Sequence, residues 1–297
     1  MTAISRPATR RRVNLAAGGF SLPAVVLVAG LLYLPFLYTV YLSFTSYNGL
    51  GTPAWTAWDN YRTIFHDPDL ATAARNTLLW VVGTVTVPVG LGLLLAVSTY
   101  GRRFGTWLRL PFLLPYAVSG VGVGVVWGFI LQTGGAFGQA LDFAGLPGKD
   151  TGWLLDAPVN TIAMIAAASW QSVGVNALLF VVGLQSIPRE PLEAARLDGA
   201  TGFRLFRHIT WPLLRPITTV VVGLSIVGSL KTFDIVWVMT QGGPGTSSET
   251  FAVSMYKTTF VAGDYGVGSA LAVALTVLTL VVSISYLRRQ LSGARAV

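Results

Sequence analysis

Cysteine is absent from the 297 residues, which excludes a disulfide scaffold, a cysteine-ligated zinc site and thiol catalysis. Charge is scarce: Asp, Glu, Lys and Arg make up 11% of the chain, against about 25% in a soluble globular protein. Only two histidines occur, His66 and His208. They fall in segments separated by long charge-free stretches, and each reads as a loop residue rather than a metal ligand. No phosphate-binding loop is present, because Gly148-Lys149-Asp150 lacks both the spacing and the hydroxyl residue of that motif. A zinc-protease helix, a nucleophile elbow and paired aspartates within an apolar run are also missing. The chain is therefore read as a non-enzyme, with no catalytic residue and no metal ligand. What it has in abundance is apolar: 53% of residues are hydrophobic, and the net charge is +8.

The few charges are unevenly placed. None lies between Arg12 and Asp59, and further uncharged stretches cover 76–101, 110–141, 157–188 and 265–287. A helix of about 20 apolar residues crosses a hydrocarbon core roughly 30 Å thick. The stretches predict spans at about 20–44, 77–98, 110–131, 159–184 and 265–287. A further one at 216–239 is interrupted by Lys231 and Asp234. Each span must be helical, because backbone groups in lipid need internal partners and no barrel-like alternation is visible. The expectation is an all-α integral membrane protein with six transmembrane helices over 20–287. The first stretch is long and lacks a small-x-small cleavage site, so it reads as a retained span rather than a signal peptide.

Basic residues concentrate on the cytoplasmic side of a membrane protein. Fifteen of the 20 fall in segment 1–19, in Arg102, Arg103 and Arg109, in the 185–215 connection and in the tail 288–297. Only Glu190, Glu193 and Asp198 accompany them, giving +12 on that side and −4 on the other. Both termini are therefore expected on the cytoplasmic side. The basic excess is read as a topology determinant that also attracts anionic membrane lipid. It requires no nucleic-acid partner.

Among the outer connections, 48–76 carries Trp55, Trp58 and Tyr61, aromatics suited to the membrane–water interface. Segment 132–158 is glycine-rich and reads as irregular, and Gln241 to Gly245 reads as a turn. The large cytoplasmic connection 185–215 reads as two short helices. Pro191 suits the first turn of one, and Gly199 can end it in a left-handed conformation. Thr201 can cap the second, which runs through Phe203, Phe206 and Ile209 until Pro212 stops or redirects it. Small residues on one face and aromatics on the other suit docking, and equally suit a connector lying on the membrane surface.

Glu193-Ala194-Ala195, then Gly199, Ile209 and Pro212 at their spacings resemble the EAA loop of binding-protein-dependent ABC importer permeases. Trp211 departs mildly from the leucine usual there. A second run, Phe233-Asp234 through Thr240 to Gly242-Gly243-Pro244, is similar to the segment ending the penultimate span in the sugar-importing branch, of the maltose and glycerol-phosphate types. The resemblance implies a type I importer architecture in which this chain forms a solute path with a second permease. It also implies two ATPase subunits, which use ATP and magnesium, and an extracytoplasmic solute-binding protein. This chain would bind no cofactor. Within the loop, Glu193 and Asp198 would anchor the ATPase electrostatically, Ala194, Ala195 and Gly199 would permit close approach, and Phe203 and Phe206 would supply docking bulk.

An oligosaccharide or disaccharide path needs hydrogen-bonding and aromatic side chains inside the bilayer, because hydroxyls leaving water need partners. The candidates are Trp170, Gln171 and Asn176 in the fourth span, with Tyr116 and Trp127 in the third. Polar groups in spans also tie helices together, so each has a packing alternative. Lys231 and Asp234, three residues apart, are expected on one helix face, lining a path or neutralising each other near the interface. A glycerol-phosphate-type solute and an ion-coupled secondary transporter remain the alternative readings; the latter would need internal symmetry and mid-membrane titratable groups.

Overall fold

The computed structural model describes the backbone over residues 15–294 and side chains over 22–288. Arg6, Arg10, Arg11 and Arg12 of the basic N-terminal segment and Arg295 of the tail lie outside the described residues. The chain is helical nearly throughout. It opens with α1 (Leu15–Val28), which passes through a π-turn into α2 (Leu34–Leu42). A two-residue β-ladder, β1 (Thr45–Ser46) against β2 (Ala54–Trp55), then leads to α3 (Asp59–His66) and the long α4 (Pro68–Thr99). After α5 (Gly105–Leu113), α6 (Gly120–Leu131) and α7 (Ala136–Phe143) comes α8 (Val159–Gln185). The 185–215 connection holds α9 (Arg189–Leu197), α10 (Gly202–Leu205) and α11 (Trp211–Leu213). The chain then continues through α12 (Arg215–Leu230), α13 (Asp234–Met239), α14 (Phe251–Tyr256) and α15 (Tyr265–Ala294).

Four helical stretches are long and apolar enough to cross a membrane, and up to six if each of two bent pairs, Gly105–Ala117 with Gly120–Leu131 and Gly202–Leu213 with Arg215–Leu230, is one span. α4, with 32 residues, is about 48 Å long at 1.5 Å per residue. Its start is fixed locally: Asp67 Oδ1 accepts from the Asp69 backbone N–H at 2.9 Å, and Pro68 occupies the first turn, where its missing N–H costs nothing. α4 packs principally on α8. The two approach closely because α4 has Gly92 there: a Cβ on it would lie 2.7 Å from Cβ of Asn176. Small residues at crossings are how helices gain van der Waals contact in lipid, where hydrophobicity itself drives no association.

Three expectations change in detail. The 110–131 span is broken: α5 ends in a 3-10 turn (Leu114–Ala117), and α6 leaves it at 98°. Pro111 and Pro115 remove donors there, and Ser119 starts α6 afresh by accepting from the Gly122 N–H at 3.1 Å. The 216–239 span is also broken, into α12 and the six-residue α13, with Lys231 to Phe233 between them. Segment 132–158 is not wholly irregular, since α7 lies within it. α7 is pinned by an exposed Lys149–Asp142 ion pair at 2.7 Å, which raises the Lys149 pKa above the ordinary lysine value, first through the hydrogen bond from its own ammonium.

Two apolar cores separate the ends of the bundle. One gathers Trp80, Val123, Met164, Ile165 and Val236 toward the end where 45–76, 156–161 and 240–266 meet. The other gathers Val89, Phe180, Leu184, Leu214 and Val221 toward the end that carries α9 to α11. The first end is the acidic one and the second the basic one.

Candidate functional site

Between the two cores a half-open cavity of about 540 Å³ lies where α4, α8, α12 and both helix breaks converge. Of the seven intramembrane residues singled out from sequence, five line it: Tyr116, Gln171, Asn176, Lys231 and Asp234. Trp127 and Trp170 do not. They pack edge to face at 5.9 Å, with Trp127 against the acidic-end core.

Asn176 is 7% exposed, and its carboxamide has no hydrogen-bond partner among the described residues. Its polar atoms are not sealed off from solvent, so they open onto the cavity, where water or a solute can bond them. Gln171 is committed on one side: its Nε2 donates to the Val118 carbonyl at 2.6 Å, replacing a backbone bond lost at the α5–α6 break. Its Oε1 is left to accept. Hydroxyls complete the wall, with Thr84 and Ser229 bonded to each other across α4 and α12 and Ser225 one turn away.

The break between α12 and α13 corrects the expected Lys231–Asp234 pair. The two do not share a helix face, and among the described residues neither forms an ion pair. Lys231 is the C-cap of α12, and Asp234 opens α13. Each charge therefore complements its own helix end, a cation at the negative terminus and an anion at the positive one. Both are exposed to the cavity rather than spent on each other. Asp234 also faces the start of α6, where a Cβ on Gly120 would come within 3.2 Å of Oδ2. Two helix N-termini and one C-terminus thus open on one cavity of mixed polar and apolar lining at mid-bundle.

At the basic end, α9 closes as its sequence suggests. Gly199 has φ +81°, its N–H donates to Arg196 O at 3.0 Å, and the Ala200 N–H donates to Ala195 O at 2.8 Å. These bonds form a Schellman stop. Ala195 is buried, and Leu192 packs on the basic-end core, so this face of α9 grips the bundle itself. Glu193, Ala194, Asp198 and Gly199 remain exposed, while Phe206, Ile209 and Pro212 are half-buried. Thr201 stands at the N-cap of α10 without a side-chain bond. The prominent apolar tip is Phe203, 75% exposed, with Leu197, 89% exposed. Leu197 was not singled out from sequence, because a leucine in a short amphipathic helix reads as inward-facing.

Sequence reasoning also missed a buried pair near the acidic end. Glu249 is 4% exposed, takes a hydrogen bond from Ser254 Oγ at 2.6 Å and pairs with Lys257. Nothing in the local pattern distinguishes it from the other acids of that loop. His66 and His208 each bond the backbone carbonyl four residues earlier, and no group of potential metal ligands occurs among the described residues.

Comparison with known proteins agrees with this architecture. Residues 88–292 match the family described as binding-protein-dependent transport system inner membrane component. An osmoprotective compounds uptake permease of Synechocystis is 36% identical over 275 residues, covering 90% of this chain and 96% of the relative. A sulfoquinovosyl glycerol transport system permease of Agrobacterium fabrum is 36% identical over 279 residues, covering 90% and 87%. A bacterial alginate ABC transporter, solved in complex with an alginate pentasaccharide-bound periplasmic protein, superposes with a TM-score of 0.79 at 20% identity, covering 92% of this chain and 93% of that one. The chain belongs to the binding-protein-dependent inner membrane component family and is an ABC transporter permease.

Proposed function

We propose that this chain is the transmembrane permease subunit of an ATP-driven importer for an oligosaccharide, disaccharide or related polyhydroxylated solute. It has six spans, with α5–α6 and α12–α13 each crossing as a broken one, and both termini in the cytoplasm. The basic end faces the cytoplasm in keeping with its charge. A second permease closes the half-open cavity, a solute-binding protein delivers at the acidic end, and two ATPase subunits dock at the basic end. Hydrolysis of ATP, with its magnesium, belongs to those subunits.

The observation that carries this reading is the convergence of Asn176, Gln171, Tyr116, Lys231 and Asp234 on one cavity at two helix breaks. An unpartnered carboxamide and two uncommitted charges offer hydroxyl groups the hydrogen bonds they lose on leaving water. At the other end, Glu193, Ala194, Asp198, Gly199 and Phe203 form the surface that enters the ATPase, with Leu197 beside them. Ala195, Phe206, Ile209 and Pro212 fix its shape. Closure of the ATPases then moves this rigid unit, and each state is stabilised by contacts absent from the other. Lys231 and the α13 N-terminus favour a glycerol-phosphate-type solute as the second reading, although Asp234 opposes an anion.

Co-purification and vesicle transport test the proposal. The chain should be recovered with an ATPase and a second permease, and uptake should stop when ATP is depleted while ion gradients are held. Uptake that survives ATP depletion and collapses with the ion gradient would return the chain to the secondary transporters.

A further inference from the structure

The α12–α13 break is held from the acidic-end surface. Thr250, 1% exposed, donates its hydroxyl to the Thr232 carbonyl inside the break at 2.8 Å and caps α14 by accepting from the Val253 N–H at 3.4 Å. The segment leading to it is clamped along its length. Asn76 Nδ2 donates to the carbonyls of Ser247 and Glu249 at 2.8 and 3.0 Å, and Asn160 Nδ2 donates to Ser247 Oγ at 3.1 Å. The Phe251 N–H bonds Thr77 Oγ1 at 3.1 Å, and the Glu249 side chain fills the space where Gly242 lacks a Cβ. Only the tip, Pro244 and Gly245, is exposed. A short piece of chain, held by hydrogen bonds at Ser247, Glu249 and Thr250, therefore runs from the surface to the backbone between Lys231 and Asp234.

We infer that segment 246–250 is a strut and Thr250 a positioning residue: it sets where the α12–α13 break presents Lys231 and Asp234, and carries displacement of the Pro244–Gly245 tip to the cavity. The inference rests on the proposed solute cavity but not on which solute enters it. Hydrogen bonds anchor the segment to α4, to α8 and to the break, so a push at the tip is carried along it to the break. The Glu249–Lys257 pair secures the turn into α14 on the same rigid piece.

The chain has no cysteine, so a single introduced one reports without background. Lys231→Cys and Ser225→Cys both line the cavity, and only the first lies at the break. In the assembled complex, the rate of N-ethylmaleimide labelling at Lys231→Cys should change about fivefold when Thr250→Val removes the hydroxyl, matching one buried hydrogen bond. At Ser225→Cys it should stay within about twofold, and Thr250→Ser should restore the first rate. Pro244→Trp, which loads the tip, should alter labelling at Lys231→Cys with Thr250 present and not alongside Thr250→Val, a coupling read from the double-mutant cycle. Equal changes at both reporters, no change at Lys231→Cys, or a tip effect that persists alongside Thr250→Val would overturn the strut. Absence of ATP-driven uptake by the unmodified complex would instead overturn the functional reading, whatever the labelling shows.

Discussion

At the scale of single residues, the cavity wall separates groups that are available from groups that are committed. Asn176 lines the cavity without a protein hydrogen-bond partner, so on the proposed function Asn176→Leu removes bonds to solute. Its half-saturating solute concentration should rise about five- to tenfold, the equivalent of about 1–1.5 kcal/mol, with the thermal midpoint of the complex unchanged. Gln171→Leu differs because it leaves the Val118 carbonyl without a donor at the α5–α6 break. That variant should lose transport and also melt earlier, by the roughly 0.5–1.5 kcal/mol of one intramolecular hydrogen bond. Uptake assays and melting curves on both variants test the distinction, and identical behaviour would mean Asn176 is packing rather than path. Asn176, Gln171 and Tyr116 were legible in sequence because a polar side chain in a charge-free run stands out against its neighbours. Lys231 and Asp234 were found but misplaced, since spacing alone assumes an unbroken helix. Glu249 and Leu197 were not legible, because their burial and exposure are decided by contacts distant in sequence.

At the scale of elements, the proposed function assigns the mechanism to the two helix breaks and the α9–α11 unit, and each has a local chemical cause. α9 stops where it does because Gly199 adopts φ +81°, a conformation that costs another residue about 1–2 kcal/mol. Gly199→Val should therefore misdirect α10 and uncouple ATP hydrolysis from uptake while leaving membrane insertion intact. Glu193→Lys reverses an exposed charge without touching the bundle and should weaken ATPase attachment. Leu197→Asp acts through a different property, since 89% exposure means it costs the isolated subunit almost nothing. Its effect should appear only as loss of the ATPase on co-purification. If all three variants keep normal ATPase recovery and normal coupled uptake, this surface is a passive connector. The helix pair itself was readable from Pro191, Gly199 and Pro212. The break after α12 was not, because Lys231 and Asp234 stabilise the two helix ends only once the chain has already parted there.

At the scale of the whole molecule, sequence and structure agree that polar chain is gathered at two ends, and they reach this by different routes. In sequence it is the sorting of 15 basic residues to one side. In structure it is contact: Asn76 and Asn160 both bond segment 247–249, and the Gly266 N–H bonds Tyr47 O at 3.1 Å, so three separate connections meet at the acidic end. Only charge gives the direction, because packing is indifferent to which compartment lies beyond each end. Introduced cysteines supply the missing sign. Leu146, in the 132–158 connection, and Leu197, at the tip of α9, are both exposed and separated by the single crossing of α8. A membrane-impermeant maleimide applied to right-side-out vesicles should label Leu146→Cys at once and Leu197→Cys only after the vesicles are opened. Thr2→Cys should follow Leu197→Cys, since an even number of crossings returns the chain to its starting side. The reverse pattern would invert the permease and place the charge-rich α9–α11 surface where no ATP is available. Labelling of Thr2→Cys together with Leu146→Cys would instead mean that one of the two preceding broken or exposed spans does not cross.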